Sequence, residues 1–148
     1  MTLEIKSYIG INNLRFEHST KNDAISCFGK PNMERKTRLG NIEYEYDYFI
    51  LRFAPLTYTL LECTLLPYAE ATINGIAVTW DKNFLKQLCQ LDGSPKNAYG
   101  FIIFSKIGLA VTGIHDNDES QLAITAFCKN ELNEFLEGSN DFDVALLS

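Results

Sequence analysis

NIEYEYDYFILRF, residues 41–53, decides how the chain folds. Acids and tyrosines alternate from Glu43 to Tyr48, and then Phe49, Leu51 and Phe53 take the parity that the acids held. One straight strand would put carboxylates and phenylalanines on the same face. A two-residue turn at Asp47-Tyr48 removes the conflict. Tyr46 then faces Phe49, Tyr44 faces Leu51 and Ile42 faces Phe53, and residues opposite each other in a hairpin share a sheet face. That face is wholly apolar. The other pairs Glu43 with Arg52 and Glu45 with Ile50. The turn itself lacks the glycine that tight hairpin turns prefer.

AYGFIIFSKIGLAVTG, residues 98–113, reads the same way. A Ser105-Lys106 turn pairs Phe104 with Ile107 and Ile102 with Leu109. Here the opposite face, with Phe101, Ile103 and Ala110, is apolar too. A sheet apolar on both faces is covered on both, by the other half of the chain or by a partner. Each hairpin is followed by a third strand, LLECTLLP (60–67) or QLAITAFC (121–128). The connections are APLTY (54–58) and IHDNDES (114–120).

Upstream of each hairpin lies the sign of a repeat. Gly29-Lys30-Pro31 and Gly93-Ser94-Pro95 stand 64 residues apart, and sliding the chain by that distance lays Leu14 on Val78, Phe16 on Trp80 and Ile25 on Cys89 without a gap. A strand, INNLRF or INGIAVTW, precedes a short helix in each copy. Thr20 with Asp23 fits a capping box at the first helix start, and Asp81 suits the N-cap of the second. Glycine and then proline close both helices. The expected fold is α+β in one domain, residues 1–148. Two tandem repeats, about 8–68 and 72–128, each hold a strand, a helix and three antiparallel strands. The helices pack on one sheet face, and a C-terminal helix and tail occupy 129–148, from about Asn130 to Glu137 for the helix. Phe142, Val144 and Leu146 are the tail's docking candidates.

This layout, from Ile9 to Cys128, resembles the β-lactamase-inhibitor-protein-like fold. Its one local motif is the helix-ending glycine and following proline at Gly29/Pro31 and Gly93/Pro95. The resemblance implies two helix-plus-sheet repeats that clasp another protein, with a hairpin loop of the first repeat entering the target. Ala54 to Tyr58 stands in that place and holds no acid. The family's disulfide in each repeat would fall on Cys27 with Cys63 and Cys89 with Cys128. The resemblance therefore carries the architecture and the binding mode, and no β-lactamase target.

Composition limits the function classes. Of 148 residues 19 are acidic against 13 Lys plus Arg, for a net charge of −6. Nucleic-acid binders usually carry a basic footprint, so a nucleic-acid partner is not expected. MTLEIKSYIG lacks the charge-then-apolar pattern of a signal peptide, and no stretch approaches the ~20 apolar residues of a span. A cytoplasmic protein with no membrane partner is expected. Cys27, Cys63, Cys89 and Cys128 lie in apolar patterns without metal or redox spacing. They read as buried thiols, with disulfides as the alternative in an oxidising compartment.

No catalytic constellation is visible. His18 and His115 stand in loops without a second ligand at metal spacing. Asp116, Asp118 and Glu119 lack the glycine and terminal glutamate of a calcium loop. Neither cofactor nor metal is implied. The expectation is a binding protein, not an enzyme: an inhibitor or neutraliser of a partner protein, most sharply an immunity protein for a basic bacterial toxin. Its candidate contacts are Glu43, Glu45, Arg52, Leu56, Tyr58, Asp116, Asp118 and Glu119. The alternatives are a self-associating module, a homodimer through the doubly apolar face, and a small-molecule binder without catalytic activity.

Overall fold

The computed structural model describes residues 2–147 and, of Glu134 and Phe135, the backbone alone; Met1 and Ser148 lie outside it. The fold is α+β, with two sheets and three helices among the described residues. The chain opens with β1 (Leu3–Lys6), β2 (Gly10–Ile11) and β3 (Leu14–Arg15), then α1 (Lys21–Phe28). Four strands follow: β4 (Met33–Lys36), β5 (Ile42–Glu45), β6 (Phe49–Phe53) and β7 (Leu60–Leu65). The hairpin β8 (Ala71–Ile73) and β9 (Ile76–Ala77) leads to α2 (Lys82–Asp92). Four more strands are β10 (Lys96–Ala98), β11 (Phe101–Phe104), β12 (Leu109–Thr112) and β13 (Ala123–Phe127). α3 (Lys129–Leu136), β14 (Asn140–Asp141) and a short 3-10 turn (Val144–Leu147) follow.

The larger sheet has nine strands in the order β14-β10-β11-β12-β13-β7-β6-β5-β4, every pairing antiparallel. The smaller sheet runs β3-β2-β1-β8-β9, with β1 and β8 parallel. The 41–53 hairpin has the register that its parity slip predicts: Ile42 opposite Phe53, Glu43 opposite Arg52, Tyr44 opposite Leu51, Glu45 opposite Ile50. Neither Asp47 nor Tyr48 takes a positive φ, so the missing glycine carries no strain. Outside contacts hold the turn. Asn32 donates to Asp47 at 2.6 Å, and the Leu66 N–H donates to the Tyr48 carbonyl at 2.9 Å. The Tyr46 ring stacks on Phe49, and its hydroxyl donates to the Gly29 carbonyl, joining the hairpin tip to the end of α1.

The second hairpin keeps its expected faces but not its expected register. Phe104 faces Leu109 and Ile102 faces Val111, a shift of two residues. The turn is four residues long, Ser105 to Gly108. Gly108 closes it at φ 66, beside the Tyr8 ring. The N–H of Lys106 is drawn to the Asp92 carboxylate at 2.8 Å. Both are contacts from distant sequence.

Other expectations need correction. α1 and α2 are each followed by four strands of the larger sheet, not three. β4, sequence MERK, is exposed at all four positions and shows no apolar alternation to read. INNLRF and INGIAVTW are not straight strands. They bend into tight hairpins at Asn12 (φ 51) and at Asn74-Gly75 (φ 49 and 84), where asparagine and glycine accept left-handed backbone. The gapless alignment also fails, because α1 has 8 residues and α2 has 11.

The helices do not share one face of the large sheet. α1 and α2 belong to the main core on the inner face, with Ala24, Phe84, Leu85 and Leu88 in the same buried cluster as Leu51, Phe53, Phe104 and Val111. α3 lies on the outer face, and its Leu132 and Leu136 cover Ala98, Ile103, Ala110 and Phe127. The doubly apolar face is thus covered by the chain's own C-terminal helix. Phe142 and Leu147 dock the tail, while Val144 and Leu146 point to solvent.

The capping box at α1 is as expected: Thr20 accepts from the Asp23 N–H, and Asp23 accepts from the Thr20 N–H at 2.8 Å. Replacing a capping threonine by alanine costs about 1 kcal/mol. Urea unfolding of Thr20→Ala should show a loss of that size. An unchanged midpoint would mean that packing alone holds this short helix.

Candidate functional site

Along the outer face of β4–β7, charges replace the apolar residues that α3 covers elsewhere. The pleat places Arg35, Glu43, Arg52 and Glu62 directly opposite one another on successive strands. The Arg35 guanidinium lies 3.5 Å from Glu43 and 3.3 Å from Glu45. Arg52 donates through Nε to Glu43 at 2.6 Å and through Nη1 to the Thr64 hydroxyl at 2.7 Å. Thr64 in turn shares a 2.9 Å hydrogen bond with Thr125, across the β7–β13 pairing. Glu62 ends the row, with Arg52 Nη1 no nearer than 3.9 Å.

Glu62 carries the most displaced carboxyl on this face. Burial pushes its pKa up from an ordinary 4.5 to about 7; Arg52 pulls it down, and Glu131 and Glu43 push it up further. A buried acid with a displaced pKa in a cleft is a marker of functional sites.

Glu62, Arg52, Thr64 and Thr125 help to line a groove of about 660 Å³. Tyr99 and Phe101 stand along it, and Asp116 lies at the same groove. Tyr99 and Gly100 form the two-residue β10–β11 turn, with φ of 54 and 81. Left-handed backbone at both positions fits a type I′ turn, whose first position favours Asn, Asp or Gly. A tyrosine there is strained, and the residue is 78% exposed.

The residues singled out from sequence separate into three groups. Glu43, Glu45 and Arg52 share one face, and Asp116 joins Arg52 at the groove. Asp118 is spent on its own loop, accepting from the Ser120 N–H and hydroxyl, and Glu119 accepts from the Tyr68 hydroxyl at 3.3 Å. Leu56, 90% exposed, and Tyr58 do not line the groove. Their loop is tied to the start of α1, where the Lys21 N–H donates to the Tyr58 carbonyl and the Lys21 ammonium sits 4.3 Å from the Tyr58 ring centre. Sequence reasoning missed Glu62, Thr64, Thr125 and Tyr99. The period-two pattern of LLECTLLP held the signal for Glu62 and Thr64, since Cys63 and Leu65 point inward.

Other chemistry finds no support. Among the described residues no three His, Cys, Asp or Glu side chains are grouped to hold a metal. The four cysteines are free thiols, not the two disulfides that the resemblance implies. Burial pushes Cys63 up to about 12 and Cys89 and Cys128 to about 11, so these three stay protonated at neutral pH. A second groove, of about 520 Å³, lies beside Phe28, Tyr46 and Tyr48. Its Tyr46 is pushed up to about 12 by burial and serves to hold Gly29.

No protein-family model, curated protein or solved structure matches the chain. The geometry of the open sheet face therefore carries the functional reading. No helix among the described residues is long and apolar enough to cross a membrane.

Proposed function

We propose that the chain is a cytoplasmic protein-binding module that inhibits or neutralises a partner, in its sharpest form an immunity protein set against a bacterial toxin. One observation carries this reading. The chain covers the apolar half of the outer sheet face with its own α3 and leaves the adjoining half as a charged row beside a groove. A carboxylate-rich face rimmed by an exposed tyrosine suits a protein partner of opposite charge.

The tandem-repeat reading fits the same picture. A hairpin precedes and four strands follow each of α1 and α2, and the last strand of each set, β7 and β13, pairs at the middle of the sheet. Two units joined at that seam make one broad surface, and a stable complex needs ~800 Å² from each partner. The homodimer alternative has lost the apolar face it was built on. A small molecule is the second reading, because the groove's 660 Å³ is ample for one.

Tagged protein should capture one stoichiometric basic protein from its source cells, more weakly as salt rises. Reversing Glu43 and Glu45 to lysine frees Arg35 and Arg52 and should weaken capture at least tenfold. Capture that ignores both salt and these reversals would sink the charged face as the binding surface.

A further inference from the structure

We infer that the groove beside Arg52 and Glu62 receives a cationic side chain, a lysine or arginine, from the protein partner; this rests on the binding-module reading and names what the site recognises. Charge balance is the first ground. On this face and groove Glu43, Glu45, Glu62 and Asp116 stand against Arg35 and Arg52. Both guanidiniums already have carboxylate partners. Arg52 in particular has Nε on Glu43 and Nη1 on Thr64, so an incoming anion would have to displace one of them.

Glu62 is in the opposite position. Its side chain is only 14% exposed, yet its ion pair with Arg52 spans 3.9 Å, well beyond a charge-assisted hydrogen bond. A guanidinium or ammonium entering the groove would supply the closer partner. The groove is large enough for a long side chain. Tyr99, which lines the groove and is largely exposed, offers an aromatic ring, and cations are drawn to ring faces. Thr125, whose hydroxyl shares one hydrogen bond with Thr64, adds an acceptor oxygen to the groove lining. A neutral isostere of arginine would lose the ionic part and keep the shape.

The test uses the full chain and two short peptides, acetyl-Gly-Arg-Gly-amide and its citrulline counterpart, followed by NMR. The arginine peptide should produce saturable shifts at Tyr99 to Phe101, Thr64, Thr125 and the Glu62 carboxyl carbon, and the Glu62 titration should move to lower pH. Glu62→Gln should weaken binding about tenfold, and Tyr99→Asn should weaken it severalfold while preserving the turn. Equal shifts from the citrulline peptide would overturn the inference. So would an arginine effect spread evenly over exposed acids such as Glu119 and Asp143.

Partner capture separates the two levels. A partner bound equally well by wild type, Glu62→Gln and Tyr99→Asn overturns the groove's role and leaves the binding module standing. Saturable arginine-peptide binding with no protein partner supports the groove's preference for cations and overturns the protein-partner reading.

Discussion

Glu62→Gln is expected to stabilise the free protein by about 3–3.5 kcal/mol at pH 8 and to change little near pH 4. The folded protein holds the Glu62 carboxyl at about 7 against an ordinary 4.5, chiefly by burial. Above pH 7 the group is ionised in both folded and unfolded chains, and the folded state bears the full penalty of a buried charge. Between pH 7 and 4.5 the folded chain takes up the proton first, so this group's contribution to stability rises as pH falls. Below 4.5 both states are protonated and the contribution is level. Each pKa step is worth ~1.4 kcal/mol, which sets the size. The groups facing Glu62 are Arg52 from β6, Glu43 from β5 and Glu131 from α3, and the first already tempers the effect. Urea unfolding of wild type and variant at pH 8 and pH 4 measures the difference. An equal gain at both values would assign the effect to packing rather than charge.

The same arithmetic bears on function. A buried acid displaced to this degree marks a candidate functional group. A partner's cation would offset the penalty of its buried charge, so complex formation near pH 7 should release protons. Stability and binding would then move in opposite directions at one residue. A residue with a purely structural role would not separate them.

How far the sequence reveals this arrangement differs element by element. The 41–53 hairpin is legible to the residue, because a parity slip inside one short stretch leaves a single consistent turn. The 101–112 hairpin shows its faces but not its register, which depends on Gly108, Tyr8 and Asp92 meeting from separate segments. β4 hides because an exposed edge strand needs no apolar alternation. The two hairpins before the helices hide because each strand is two or three residues long. Glu43, Glu45 and Arg52 are visible as hairpin partners. Glu62 gains its meaning only once β7 lies beside β6 and Thr64 meets Thr125, a residue 61 positions away. Asp118 and Glu119 looked like a free acidic tip, but they hold their own loop and Tyr68.

Asp92→Ala is expected to cost about 3 kcal/mol. Asp92 ends α2 and is fully buried. A carboxylate at a helix C-terminus opposes the helix dipole, so local helix energetics do not favour it there. Its partners lie beyond the helix: one oxygen accepts from the Lys106 N–H at 2.8 Å, the other from the Ser94 N–H at 3.2 Å. Alanine would leave both N–H groups without an acceptor, and hydrogen bonds to a charged group are each worth about 1.5–3 kcal/mol. Asparagine can satisfy one of them and turns an NH₂ toward the other, so Asp92→Asn should fall between alanine and wild type. The loss should spread. Lys106 belongs to the turn against which Tyr8 packs, and the Tyr8 hydroxyl donates to the Ser105 carbonyl. Ser94 leads into β10, which ends at the Tyr99 turn beside the groove. Faster hydrogen exchange at Lys106 and Ser94 in Asp92→Ala, together with weaker arginine-peptide binding, would show that this buried acid braces the groove wall from outside it. A cost below 1 kcal/mol with both amides still protected would mean that water replaces the carboxylate and that the wall stands without it.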